Sequence, residues 1–138
     1  MKKATCVKLT LLAFCYTSNS FAQFSDYRCK IERISSSVTS DGKNEFLASY
    51  VGKEFTVDRK TGIMVGVLKN SYVNKPQVID SGSKENSFKV IASLKVTEGA
   101  GAGSNMYALT IDEHQDGKIK PFVFLQNNIA FFGHCSHY

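Results

Sequence analysis

The chain has 138 residues, 17 of them basic and 12 acidic, for a formal net charge of +5, and it carries ten phenylalanines and six tyrosines but no tryptophan. Acids and bases interleave, as in "RCKIER" and "GKEFTVDRK", so the basic stripe that marks a nucleic-acid binder is missing and that class of partner is excluded. No internal repeat or domain boundary is visible, and this length suits one domain around one core.

The first 22 residues read as a secretory signal. Lys2 and Lys3 form a basic start, "LTLLAFCY" a compact apolar run, and Ser20-Phe21-Ala22 a site of small residues before Gln23. The apolar run is shorter than the roughly 20 residues a membrane-spanning helix needs, and no other segment approaches that length, so no membrane span is expected. "LAFC" also outlines a lipoprotein signal acylated at Cys15, although Phe14 stands where that signal takes a small residue. Cleavage after Ala22 removes Lys2, Lys3 and Lys8, leaving 14 basic against 12 acidic residues, a net of +2, in a domain spanning 23–138. It also removes Cys6 and Cys15. The remaining pair, Cys29 and Cys135, is expected to form a disulfide in an oxidising compartment.

Further along, "YRCKIERI" alternates with period two, Tyr27, Cys29 and Ile31 opposing Arg28, Lys30 and Glu32, which predicts a half-buried strand with Cys29 on its apolar face. In "NEFLASYVG" the apolar Phe46, Leu47, Tyr50 and Val51 fall at helical spacing, with Gly52 as a cap, which favours a short helix over an extra strand. "EFTVDRKTGIMVG" predicts a strand, a tight turn from Asp58 to Gly62, and a second strand. "FKVIASLKV" places Phe88, Val90, Ala92, Leu94 and Val96 on one strand face. The stretch "TEGAGAGSNMY" is not a phosphate-binding loop, since no Lys-Ser/Thr pair follows, and it reads as a flexible hairpin tip.

Beyond it, "MYALTIDEHQDGKIKPFVFLQ" predicts two strands turning at Asp116-Gly117, with Pro121 at a strand start or bulge. Asn127-Asn128 then forms a two-residue hairpin into "IAFFGHC", where Ile129, Phe131, Gly133 and Cys135 share a face. Both cysteines thus lie on core faces of the first and last strands, and they meet if those strands are neighbours. An open meander of seven or eight strands leaves exposed edges, so the expected fold is all-β: an antiparallel meander closing into a small barrel or a strongly bent sheet, with one short helix.

Chemistry is sparse. His134 and His137 flank Cys135 in "HCSH" and are weak metal candidates, because structural zinc takes four ligands at defined spacing. The same cysteine as a nucleophile would need a free thiolate. Carboxylates are paired at Asp112-Glu113 and Glu54-Asp58, but nothing places two around a substrate. No catalytic residue and no cofactor are expected, and the chain reads as a non-enzymatic binding module. Its expected partner is a small apolar ligand or a protein, met at a barrel mouth or at outward aromatics such as Phe132 and one of Phe122 or Phe124.

Taken together, "GKEFTVDRKTG", "ENSFKVI" and "KPFVFLQNNIAFFGHC" resemble small exported proteins of proteobacteria; the resemblance implies a Gram-negative periplasm, or secretion, and brings no activity with it. The "YRC" opening is similar to that of periplasmic lysozyme inhibitors of the membrane-bound C-type class, which are also small barrels. Their serine-glycine-x-x-tyrosine loop has no counterpart here, and inhibition of a foreign hydrolase by a protruding loop at 98–105 is the alternative that this resemblance implies.

Overall fold

The structure, a computed structural model, describes residues 26–37, 45–70, 76–99 and 106–138. The signal-like segment and most of the glycine-rich loop, from residue 100 to 105, lie outside the described residues. Eight strands make one antiparallel sheet: β1 (Tyr27–Ser36), β2 (Glu54–Val57), β3 (Met64–Gly66), β4 (Gln77–Ser81), β5 (Phe88–Ser93), β6 (Met106–Ile111), β7 (Ile119–Gln126) and β8 (Ile129–His137). Their spatial order is β3-β2-β1-β8-β7-β6-β5-β4. Two meanders, β1 to β3 and β4 to β8, are therefore joined by pairing of the first strand with the last. The sheet curls into a half-barrel with its apolar face inside.

Alternation explains which side chains fill it. Tyr27, Cys29 and Ile31 from β1, Phe88, Val90 and Ala92 from β5, Tyr107, Leu109 and Ile111 from β6, and Phe131 and Cys135 from β8 are all almost fully buried. Phe122 and Phe124 join them, paired with Gly133 and Phe131 across β8. The idea that one of them faces outward is therefore corrected: the register of β7 turns Val123 and Leu125 out instead, and Phe132 is the outward aromatic. The rings pack in edge, tilted and stacked contacts, such as Phe55 on Phe122 at 5.2 Å, Phe124 on Phe131 at 5.8 Å and Tyr107 on Phe124 at 6.0 Å between centroids.

Cys29 and Cys135 sit directly opposite one another on β1 and β8 and are joined by a disulfide, 106 residues apart in sequence. Their Cα atoms are 3.9 Å apart, closer than the usual range of about 4.4–6.8 Å. Ile31 turns its N–H and C=O toward Lys53 and Gly52 on the β2 side. Alternation gives Cys29 the same direction, so toward β8 it occupies a non-hydrogen-bonded site, where antiparallel strands approach most closely. Two residues before Cys135, Gly133 lies against β1 so tightly that a Cβ there would run into the Lys30 carbonyl and lie 2.9 Å from the Phe122 ring. One residue on, β1 bulges between Ile31 and Arg33.

Local signals account for the connections. The helix α1 spans Glu45–Ala48, and its exit is stapled to β1 by Gly52 N–H on the Ile31 carbonyl. Only Tyr50 of the expected apolar set reaches the core, against Phe131, while Phe46 stays 68 % exposed, since a single turn offers no second face to bury. β5 ends at Ser93, short of the period-two pattern; the chain tightens into a 3-10 turn at Val96–Glu98, where the Glu98 carboxylate accepts the Lys95 N–H at 2.7 Å. Asn127 supplies the positive φ of the last hairpin, 52°, and its side chain accepts the Met106 N–H. Pro121 lies inside β7 rather than at its start. Its carbonyl accepts the Asp112 N–H, so its nitrogen also faces the β6 side; the reciprocal bond that proline cannot donate is missing there, the ladder ends at Ile111, and the Asp112 carbonyl accepts the Gln115 N–H instead.

Candidate functional site: the seam between the two sheet edges

The outer edges of the sheet, β3 and β4, do not pair with each other; side chains bridge them. The turn after β2 is built by Asp58, whose carboxylate accepts the backbone N–H groups of Lys60 at 2.9 Å and Thr61 at 2.8 Å. The bond from Thr61 is foremost in holding this carboxyl below its ordinary value. Gly62 closes the turn with φ of 71° and packs so near β5 that a Cβ would meet Val90 at 2.7 Å. Only glycine satisfies both demands.

This turn aims Arg59 across the seam. Its Nε donates to the Ser81 carbonyl at 2.9 Å and its Nη2 to that of Gly82 at 3.0 Å, at the end of β4. Nη1 lies 3.9 Å from Glu113 Oε1, and the backbone N–H of Arg59 donates to Asp26 at 3.0 Å. The guanidinium also sits 5.4 Å from the centroid of the Tyr27 ring. On the other edge Asn70 acts as a substitute strand: its side-chain oxygen accepts the Met64 N–H at 2.8 Å and its nitrogen donates to the Gly62 carbonyl at 2.9 Å, with the residue 1 % exposed. Each edge thus has part of its backbone bonded from within the chain.

Beneath Arg59 lies a polar cluster drawn from β1, the β6–β7 loop, β7 and β8. Glu113, from the β6–β7 loop, faces Arg59, and His137 Nε2 lies 2.5 Å from the same oxygen, which is buried without meeting hydrogen-bond geometry. The His137 ring lies 4.8 Å from that of Tyr27. Burial pushes the Tyr27 phenol far above its ordinary value; Arg59 opposes this and Glu113 adds to it. Lys120, buried on the core face of β7, donates its ammonium to the carbonyls of Glu113 and Gln115 and so fixes the loop that carries Glu113.

Above the cluster the seam opens as a cleft of about 430 Å³ lined by Asp26, Arg59, Lys60, Val78 and Ser81, a size suited to a small molecule. Val78 gives an apolar wall and Lys60 an exposed cation. A smaller hollow of about 240 Å³ lies on the outer face beside the disulfide, among Arg28, Lys30, Glu32, Glu54 and His134.

The sequence candidates fall elsewhere. His134 points outward, with Nδ1 2.9 Å from Glu32 Oε2, whereas His137 sits with Glu113 on the inner side of the same strand. The strand's own alternation separates them, and Cys135 between them is held in the disulfide. Among the described residues no group of three or more His, Cys, Asp or Glu side chains is placed to hold a metal ion. The residues that build the seam, Arg59, Asn70, Glu113 and Lys120, carry no motif. Glu113 showed only as one of the paired carboxylates Asp112-Glu113, and Lys120 only by its core parity on β7 with Phe122 and Phe124.

Fold and seam together define a disulfide-stapled, antiparallel half-barrel whose free edges are latched by side chains. Comparison with known protein families, curated proteins and solved structures finds no match. Among the described residues no helix is long and apolar enough to cross a membrane.

Proposed function

We propose that the protein is an exported, non-enzymatic β-domain that binds a small ligand in the seam cleft, a molecule with an apolar body and an anionic group. The observation that carries this reading is the cleft of about 430 Å³ with an apolar wall at Val78 and cations at Lys60 and Arg59. The inside of the half-barrel is filled by aromatic rings, which favours the seam over an interior cavity. The non-enzymatic part is supported by the polar cluster, in which Arg59 is bonded to the Ser81 and Gly82 carbonyls while Tyr27 OH and Glu113 Oε1 are buried rather than turned toward a common point in the cleft. Export to the periplasm or beyond is supported by the signal-like start of the sequence and by the disulfide. Inhibition of a hydrolase would rest on residues 98–105, of which 100–105 lie outside the described residues.

Titration with 1-anilinonaphthalene-8-sulfonate, an apolar ring system bearing a sulfonate, tests the proposal. Saturable binding is expected, abolished by Val78→Lys, weakened about fivefold, or ~1 kcal/mol, by Lys60→Glu, and unchanged by Leu125→Glu on the opposite surface. No saturable binding, or binding indifferent to both seam variants, would overturn it.

A further inference from the structure

The outer face of β5 to β8 carries a row of directly opposed residues, Ile91, Ala108, Leu125 and Ala130. Ile91 is 44 % and Leu125 39 % exposed. A second row beside it runs Lys89, Thr110, Val123, Phe132 and Arg33, with Asp80 continuing it onto β4. With Met106 nearby, the apolar part of this surface is on the order of 450 Å², at the scale of the largest patch on a typical monomer. A standard interface takes about 800 Å² per partner, roughly 56–65 % of it apolar, so the patch matches what one such interface requires.

The order of residues in the rows selects the partner. The first row alternates large, small, large, small, and such a row of even length is complementary to itself about its midpoint. A two-fold axis running along the strands between β6 and β7 sets Ile91 over the second copy's Ala130, and Leu125 over its Ala108. The same operation acts on the second row without further adjustment. It sets Thr110 against Val123, and Lys89 against the face of Phe132, a cation–π pairing. It also sets Arg33 against Asp80, opposite charges on the rim where the curved faces diverge and a long side chain is needed to cross. In the single chain the same groups are engaged locally, Lys89 with Asp80 at 3.7 Å and Arg33 over Phe132 at 3.8 Å, and the dimer exchanges both of these contacts for the intermolecular ones. We infer that this face is an isologous interface, and that the protein forms a two-fold dimer with its β5–β8 surfaces back to back and the seam cleft of each copy left open.

Sedimentation of the native oxidised protein over about 1–100 µM, a range that brackets micromolar association, is the test. A concentration-dependent dimer is expected for the native protein and for Val65→Glu, which places a charge on the exposed face of β3 outside both rows. Leu125→Glu and Ile91→Glu should each sediment as monomers, with far-UV circular dichroism unchanged. Arg33→Glu should weaken the dimer by no more than about fivefold, as a rim charge does. A native protein monomeric throughout would overturn the inference, and its binding to vesicles of anionic lipid would then assign the face to a membrane surface. A dimer that survives both Leu125→Glu and Ile91→Glu would overturn it too, by locating the contact elsewhere. Neither result bears on the seam cleft, which is read by dye titration of its own variants, Val78→Lys and Lys60→Glu, whether the protein is monomer or dimer.

Discussion

Replacing Arg59 by Met tests whether side chains close the half-barrel. Methionine keeps most of the arginine's length and apolar contact but removes the donors to Ser81 and Gly82 and the charge facing Glu113. A hydrogen bond involving a charged group contributes about 1.5–3 kcal/mol, and breaking a buried pair from one side costs about 3–5 kcal/mol because the other charge is left behind. The terms overlap at one guanidinium that is 7 % exposed, so a loss of about 3–5 kcal/mol is expected, a third or more of the stability of many small domains. With an m-value of about 1.5 kcal/mol/M, the urea midpoint should fall by about 2–3 M. Arg59→Lys, whose single ammonium reaches one carbonyl, should lie between. Combining Arg59→Met with Glu113→Gln supplies the sharper readout: the double variant should cost less than the sum of the singles by about 1–3 kcal/mol, since the second change removes the stranded charge. A loss below about 1 kcal/mol for Arg59→Met, or strict additivity in the cycle, would refute the latch and leave the seam held by apolar packing alone.

Joint replacement of Cys29 and Cys135 by Ser should cost about 4–5 kcal/mol, the loop-closure value for the 106-residue separation; at about 4 °C per kcal/mol calorimetry should show a melting temperature lower by about 15–20 °C. Asn70→Ala strands the Met64 N–H and the Gly62 carbonyl in a buried place. It should destabilise by about 2–4 kcal/mol, with loss of amide-exchange protection at Met64. Because burial raises the Tyr27 phenol, its neutral form contributes stability that is intact below the ordinary phenol value and lost as pH rises past it. Absorbance titration should therefore show Tyr27 ionising together with alkaline unfolding, in a step that Tyr27→Phe removes. Asp58 works in the opposite direction: its lowered value means that its contribution is present above the ordinary carboxylate range and fades as pH falls through the folded value. Asp58→Asn, which keeps the acceptor, should abolish this acid dependence of the β2–β3 hairpin while preserving its amide protection.

Period-two alternation in "YRCKIERI" and "IAFFGHC" was enough to place the first and last strands, their core faces and both cysteines, because a strand's two faces are dictated by neighbours in sequence; in "FKVIASLKV" it gave the face but overran the strand, which ends at Ser93. Turn chemistry at Asp58 to Gly62 and at Asn127 was legible for the same reason, since the φ angles and caps involved lie within a few residues. Register was not legible. Whether Phe122 and Phe124 or Val123 and Leu125 face inward depends on pairing with Gly133 and Phe131, and a slip of one residue exchanges the faces. The separation of His134 from His137 likewise follows from strand parity, which "HCSH" as a string of metal-binding letters conceals. The seam was the least visible feature. Arg59 meets Ser81, Gly82 and Glu113, partners 22 to 54 positions away, only after the sheet has curled, and Asn70 reaches Met64 and Gly62 through a side chain that no local pattern marks. Local sequence determined the strands and the turns between them, whereas the latch, the cleft and the self-complementary outer rows were decided by how eight strands curl and pair, since long-range contacts exist only in the folded chain.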